Sequence, residues 1–293
     1  MGISDAIGAH VGSFWALEIA SLAWFPSLLF FFWVVEKIRP FVQQGPRPNA
    51  TDVKYWLLNP GLELMTRTAS AFVMLSLAAL IGVRVKLGIW HGFGPVMKQP
   101  HWLILVEMVL LLELTAYWSH RLCHTVPWLW RFHAIHHSAK RLNWLSAARF
   151  HPVNQLSTRV SNMVPLFCLG FPIDDAMKLF PFVAFSALLA HANLNLRFGP
   201  FSALLVGPVY HRFHHTLSGE GGNMNFAGFC PLFDLIFGTY YMPAEDPGAL
   251  GVDGEDVPDD VLEQFAYPFR SETESAPEEE LHQATALPSR PSW

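Results

Sequence analysis

Histidine is the residue whose number and spacing in this chain point most directly to chemistry. The sequence holds 14 histidines, and ten of them fall between His120 and His215. Eight of the ten form one His-x3-His pattern and two His-x2-His-His patterns, while His151 and His191 lie between the second and third patterns. The three patterns contain His120 and His124; His133, His136 and His137; and His211, His214 and His215.

The spacing of these histidines predicts a metal site if the segments are helical. Residues three and four positions apart share one face of a helix, so each pattern turns two or three imidazoles in one direction. Packing alone is a poor explanation, because every buried imidazole would need hydrogen-bond partners. We therefore expect three or four helix ends to surround one polar pocket that binds metal.

The choice of metal follows from the number and type of ligands. Imidazole suits iron, zinc, copper and nickel, and the three cysteines, Cys123, Cys168 and Cys230, are too scattered for a thiolate site. A closed structural zinc site needs only four ligands. Eight or more histidines therefore predict two metals, and two neighbouring irons can activate dioxygen.

The elements that must carry these histidines look membrane-embedded. Hydrophobic residues make up 52% of the chain and charged residues only 15%, whereas about a quarter of an ordinary soluble domain is charged. Four stretches are apolar enough to enter a bilayer: about 14–35, 65–85, 102–118 and 156–190. Gly170-Phe171-Pro172 interrupts the last stretch. The predicted fold is an all-α integral membrane protein with about four membrane-embedded helical regions, the last a broken hairpin.

Basic residues predict which side of the membrane carries the histidines. The segment before Phe14 has no lysine or arginine, whereas six basic residues follow the third apolar stretch. Because basic loops stay in the cytoplasm, residues 119–155 and 193–293 are predicted to form a cytoplasmic helical cap on a multi-pass protein. The six basic residues are Arg121, Arg131, Lys140, Arg141, Arg149 and Arg159.

The charge is divided unevenly along the chain. The net charge is −5, but the segment from Pro243 to Trp293 has 13 acidic residues and only two basic ones. Such acidic, proline-containing sequence has little apolar surface to bury, which predicts disorder. We therefore divide the chain into N-terminal membrane helices and loops (1–100), a histidine-containing catalytic domain (101–242) and an acidic tail (243–293).

The motifs from His120 to Tyr240 resemble those of the fatty acid hydroxylase and sterol desaturase superfamily of membrane di-iron oxygenases. The three histidine patterns occur in that family's order. Further matching features are His151-Pro152, His191-Ala192-Asn193, Asn225-Phe226, Phe233-Asp234 and Phe237-Gly238-Thr239. Relatives often have tryptophan where this chain has Phe233.

The resemblance implies a centre of two irons that uses dioxygen and two reducing equivalents to hydroxylate or desaturate an apolar substrate. It implies that the eight histidines of the three patterns, together with His191, are metal ligands. Some relatives have another histidine where this chain has Asn195, so His151 or water is a candidate for the remaining position. Glu113, Asp234, Asn154, Asn193 and Asn195 are candidates to fix the orientation of the imidazoles.

The expected substrate is a lipid from the bilayer: a sterol, a fatty acyl lipid or a carotenoid. No haem, flavin or nucleotide-binding motif is visible, so electrons are expected from a separate NAD(P)H-linked carrier, cytochrome b5-like or ferredoxin-like. We expect no nucleic-acid partner. Two alternatives remain at this point. A histidine-lined metal transporter would need more polar residues within the apolar stretches, and a membrane zinc hydrolase would need a His-Glu-x-x-His helix.

Overall fold

The structure, a computed structural model, describes residues 26–44, 49–80, 91–217 and 221–270. The described residues fold into helices and form no β-strands. Two isolated β-bridges are present there, between Pro40 and Leu194 and between Thr216 and Leu250. This confirms the all-α prediction for the described residues. The helices are α1 (residues 26–38), α2 (Ala50–Leu80), α3 (His101–Thr125), α4 (Pro127–His137), α5 (Pro152–Leu169), α6 (Ile173–Lys178), α7 (Phe180–His191), α8 (Pro208–His214), α9 (Leu232–Phe237) and α10 (Val261–Ala266), with 3-10 turns at Pro95–Lys98, Trp144–Ala148, Gly199–Phe201 and Tyr267–Phe269.

The long helices α2, α3 and α5 pack side by side. Their shared core contains Met74 of α2, Ile104 and Met108 of α3, and Leu166 and Phe167 of α5. These residues lie at the end of the bundle away from the histidines. Burying such side chains stabilises the bundle by about 1.5–3 kcal/mol each, so this core fixes where the opposite helix ends meet.

Helix α3 is, within the described residues, the one helix long and apolar enough to cross a membrane. Its 25 residues correspond to about 37 Å at 1.5 Å per residue, more than the roughly 30 Å of a bilayer core. Trp102, Val106, Leu110 and Trp118 are exposed on its surface. One of the four predicted regions thus meets the criterion, while residues 14–25 and 81–85 of two others lie outside the described residues.

The predicted break in the fourth apolar stretch is present as a change of helix. Helix α5 ends at Gly170, which has a left-handed backbone with φ 84°. A side chain there would place Cβ 2.3 Å from the carbonyl oxygen of Phe93, so the close approach of these backbones requires glycine. The short α6 follows, and α7 returns the chain to His191.

Exposed apolar side chains continue along the outer faces of several helices. Soluble monomers rarely expose large contiguous apolar patches, so this surface is consistent with contact to lipid. The residues include Phe30, Phe31 and Trp33 of α1, Leu57, Leu64 and Phe72 of α2, and Phe182 and Phe185 of α7.

The fold extends further towards the C-terminus than composition predicts. Residues 243–270, the first part of the predicted tail, are folded, whereas residues 271–293 lie outside the described residues. Asp260 caps α10 by accepting from the backbone of Leu262, and the buried Val261 joins a core with Tyr55 of α2. The Tyr55 hydroxyl donates to the side-chain oxygen of Gln264 at 2.8 Å. This segment therefore belongs to the cap that surrounds the histidines.

Candidate metal centre

The structure gathers all nine histidines predicted as ligands into two adjoining groups. Within each group, one nitrogen from every ring lies within 4.8 Å of the corresponding nitrogens of the others. The five-histidine group consists of His120, His124, His133, His137 and His214, and the four-histidine group consists of His136, His191, His211 and His215.

Each His-x2-His-His motif supplies both groups. On α4, His133 and His137 are four residues apart and face the five-histidine group, while His136 faces the four-histidine group. The motif of α8 is arranged in the opposite sense: His214 joins the five-histidine group, and His211 and His215 join the other. Two histidine groups consequently lie side by side in the pocket that the sequence predicted to hold two metals.

Backbone carbonyls set the orientation of four of the imidazoles. A carbonyl oxygen only accepts hydrogen bonds, so the Nδ1 atom that faces it carries the proton and Nε2 keeps its lone pair. The four pairs are His120 with Phe226 (2.9 Å), His136 with Arg149 (3.2 Å), His191 with Ala187 (2.8 Å) and His214 with Met224 (2.7 Å). These rings therefore present Nε2 lone pairs to the interior of the two groups.

The inward-facing nitrogens fit metal cations. In the four-histidine group, Nε2 of His136 and Nε2 of His191 are 3.1 Å apart, although the Nδ1 atom of each ring is already protonated. In the five-histidine group, the buried Nε2 atoms of His124, His137 and His214 lack a hydrogen-bond partner. Buried lone pairs that face one another are costly unless a cation lies between them. The donor set is thus that of two imidazole-rich metal sites.

Burial keeps the imidazoles of the cap neutral. Loss of hydration, followed by the charge of neighbouring His120, lowers the pKa of His133 to about 3. Burial likewise holds the pKa of five further candidate ligands well below the usual histidine range: His136, His137, His211, His214 and His215. A neutral imidazole is the form that binds metal, so these rings are ready to bind at neutral pH.

The metal-free protein is expected to lose stability as the pH falls below about 6.5. Unfolded histidines keep a pKa near that value, whereas the folded pKa of His133 is about 3, so the unfolded chain binds more protons in this window. Thermal unfolding midpoints of the metal-free protein, measured between neutral pH and about pH 5, test this expectation. Ordinary carboxylates titrate below this pH window, so they do not contribute to the change. A midpoint that stays constant over this range would contradict the neutral, buried state of the rings.

Asn154 of α5 contacts a candidate ligand directly. Its side-chain oxygen accepts from Nδ1 of His133 at 2.9 Å, and both residues are buried. This contact agrees with the orienting role expected for Asn154. Partners of this kind fix the ring and raise its basicity as a ligand.

Replacing Asn154 by leucine is expected to lower metal affinity by about 10–100-fold, because His133 loses the partner that holds its ring. Metal titration of the purified variant measures the effect. Asn162→Leu is the matched control, since Asn162 lies on the same helix and accepts from Thr115. Equal metal affinities in the two variants would show that Asn154 does not contribute to metal binding.

Asp234 acts on the histidines through the backbone. Its Oδ1 accepts from the backbone N–H of Phe226 at 2.8 Å, and Phe226 in turn offers its carbonyl to His120. Its Oδ2 accepts from the hydroxyl of Tyr210 at 2.6 Å, next to His211. Asp234 thus braces both the loop that holds His120 and the start of α8.

Glu113 and Asn193 also brace the scaffold and lie outside both histidine groups. The Glu113 carboxylate accepts from the backbone N–H groups of Gly228 and Phe229 at 2.8 and 3.2 Å. The Asn193 side chain bonds the backbone of Val42 and accepts from Arg212. Both residues therefore position loops and helix ends around the site.

His151, the candidate for a further ligand, and Asn195, a candidate to orient the imidazoles, lie elsewhere. His151 caps α5 by accepting from the backbone N–H of Val153, and its Nε2 lies 3.2 Å from the carbonyl oxygen of Phe265. Asn195 is exposed. Neither residue joins either histidine group.

Sequence reasoning missed one buried ion pair that supports the site. Asp52 of α2 accepts from Nε and Nη2 of Arg149 at 2.8 and 2.6 Å, with both side chains almost fully buried. Arg149 also offers its carbonyl to His136. The sequence identified Arg149 only as a basic residue of the cap, since its partner is 97 positions away.

Comparisons with known proteins support an oxygenase. The profile of the fatty acid hydroxylase family matches residues 105–239, which include all nine histidines. An ornithine lipid hydroxylase of Rhizobium tropici is 34% identical over 80% of this chain and 71% of its own length. Alkylglycerol monooxygenases of Danio rerio and Homo sapiens are 30% and 33% identical over 44% and 42% of this chain, and 28% and 27% of their own lengths. No solved structure matches the chain significantly.

Proposed function

Because this chain belongs to the fatty acid hydroxylase family, we propose that it is a membrane-bound oxygenase that uses two irons and dioxygen to hydroxylate a lipid. The family is membrane-associated and its members are oxidoreductases, so the chain is a lipid-modifying oxygenase. The use of two irons and the identity of the lipid are the finer parts of the proposal. The observation that carries the finer proposal is the pair of mostly buried groups of five and four neutral histidines with lone pairs directed inward.

Each histidine group would hold one iron. When bound, the two irons supply the activation of dioxygen that oxidation of an unactivated C–H bond requires. The chain contributes fixed imidazole orientations, set by the carbonyls of Phe226, Arg149 and Met224 and by the amide of Asn154. It also contributes exclusion of water, because the ligands are mostly buried.

An aromatic wall separates the five-histidine group from the apolar exterior. The ring of Phe226 packs against His124 with centroids 5.2 Å apart, and Tyr117 packs against both Phe226 and Phe237. Trp118 and Phe237 are exposed beyond them. We propose that a lipid approaches along this apolar side, where the rings exclude water from the reacting C–H bond.

The relatives favour hydroxylation and a polar membrane lipid as substrate. A relative that matches 80% of this chain is named an ornithine lipid hydroxylase, and others are named monooxygenases. An ornithine-containing lipid is therefore the first substrate to test. Desaturation, and a sterol or carotenoid substrate, are the other outcomes that the same experiment distinguishes.

We further propose a multi-pass protein with the metal centre on the cytoplasmic side. Helices α1, α2 and α3 and the α5–α7 hairpin would be embedded, and the basic residues of the cap support the orientation. Electrons would come from a separate NAD(P)H-linked carrier of the cytochrome b5 or ferredoxin type.

Expression in a host that contains ornithine lipid, followed by mass spectrometry of the lipid extract, tests the proposal. We expect a lipid that has gained one oxygen atom, and a His214→Ala variant should not produce it. Loss of two hydrogen atoms would instead indicate desaturation. An unchanged extract across polar lipids, sterols and carotenoids would contradict a lipid oxygenase.

A further inference from the structure

Trp130 lies against the five-histidine group, but none of the roles described above uses it. It belongs to α4, and its ring centroid is 5.1 Å from that of His124 and 5.4 Å from that of His137. The side chain is half-buried. An oxidisable indole therefore touches two ligands of one proposed iron.

A carboxylate links this indole to a phenol. Nε1–H of Trp130 donates to Oε1 of Glu255 at 2.8 Å, and the hydroxyl of Tyr267 donates to Oε2 of the same carboxylate. Tyr267 is only 4% exposed. Glu255 and Tyr267 belong to the folded segment that follows the predicted catalytic domain, so this segment completes the chain of contacts.

The carboxylate distinguishes Trp130 from a tryptophan whose indole donates to a backbone carbonyl. The indole of Trp56, for example, donates to the carbonyl of Leu145, and a carbonyl cannot take up a proton. A carboxylate can accept the proton that an indole releases when it loses an electron. Trp130 and Tyr267 each have this proton acceptor in place.

We propose that Trp130, Glu255 and Tyr267 form a relay that carries an oxidising equivalent away from the irons when no lipid is in position to be oxidised. The inference rests on the proposed oxygenase function, which supplies the dioxygen-derived oxidant. The relay protects the histidine ligands from that oxidant.

The electron and proton transfers balance. Trp130 gives one electron to the dioxygen-derived oxidant and its Nε1 proton to Oε1 of Glu255, which leaves a neutral indolyl radical. Tyr267 then gives one electron to that radical, Glu255 returns the proton to Nε1, and the phenol proton passes to Oε2. A soluble one-electron reductant such as ascorbate then reduces the Tyr267 radical, and Oε2 of Glu255 returns the proton to the phenolate oxygen.

Peptide mass spectrometry of the full-length, iron-loaded protein tests the relay. The protein is incubated with dioxygen and ascorbate as electron donor, without lipid. We expect oxygen to be added at Trp130 and Tyr267 in preference to Trp128, a neighbour that is 59% exposed. Freeze-quenched samples should show a tryptophan or tyrosine radical by electron paramagnetic resonance.

Three variants separate the relay from simple packing. Trp130→Phe keeps an aromatic ring and should abolish oxidation of Tyr267, whereas Trp128→Phe should leave it unchanged. Glu255→Gln keeps a hydrogen-bond acceptor but cannot take up a proton, and should lose the neutral indolyl signal. Iron content, measured on every sample, shows whether the centre is intact.

If iron binding and oxygen consumption persist, either of two outcomes would overturn the relay without overturning the proposed function. The first outcome is oxidation in proportion to solvent exposure, so that Trp128 is oxidised more than Trp130. The other is unchanged oxidation of Tyr267 in Trp130→Phe. A wild-type protein that binds no iron and consumes no oxygen would overturn the relay and the proposed function together.

Discussion

The His136→Ala variant is expected to lose turnover and to keep iron only in the five-histidine group. His136 is one of four imidazoles in its group, and its Nε2 lies 3.1 Å from that of His191. Removing it leaves three ligands and opens a cavity beside the stacked ring of Phe150. Iron content should fall from about two per chain to about one.

His151→Asn is the matched control for this variant. His151 lies in the same cap but outside both histidine groups, and asparagine preserves its capping of α5. The control should therefore keep its iron and its turnover. Full iron content in His136→Ala, or an equal loss in His151→Asn, would contradict the division of the ligands described here.

Replacing Asp52 by asparagine is expected to destabilise the protein by about 3–5 kcal/mol, because the charge of Arg149 would stay buried without its counter-ion. Arg149 and Asp52 are 1% and 0% exposed, so water cannot compensate. The carbonyl of Arg149 holds His136, so iron affinity in the four-histidine group should fall as well. Thermal unfolding in detergent, with iron analysis, measures both effects.

The surface pair Lys54 and Asp260 provides the comparison for that prediction. Its side chains are 54% and 45% exposed, and such pairs contribute about 0–1 kcal/mol. Asp260→Asn, which retains a capping side chain for α10, should therefore shift the unfolding midpoint far less than Asp52→Asn. Equal shifts in the unfolding midpoint would show that the buried pair stabilises the protein no more than the surface pair does.

The parts of the fold that depend on local spacing could be predicted from the sequence. A continuous apolar stretch identified α3, and the glycine and proline around Phe171 identified the break between α5 and α7. Eight of the nine histidines were recognisable because their spacings of three and four residues place them together on helix faces, and His191 was identified through the resemblance to the family. Each of these signals lies within one turn or one helix.

Features that depend on distant contacts could not be predicted in this way. The partition of each His-x2-His-His motif between two groups depends on how α4 and α8 face one another, which spacing alone does not specify. The contact of Asp52 with Arg149 joins residues 97 positions apart. Residues 243–270 were assigned to a disordered tail because the segment as a whole is acidic. That average does not reveal that Val261 and Tyr267 pack in a core with Tyr55 of α2.

Metal analysis of the purified wild-type protein, combined with oxygen-consumption measurements, tests the central claim most directly. Two mostly buried histidine groups, each directing ring nitrogens inward, predict about two irons per chain and reductant-dependent oxygen uptake. A single zinc per chain with no oxygen uptake would contradict the account and favour a hydrolase or a transporter.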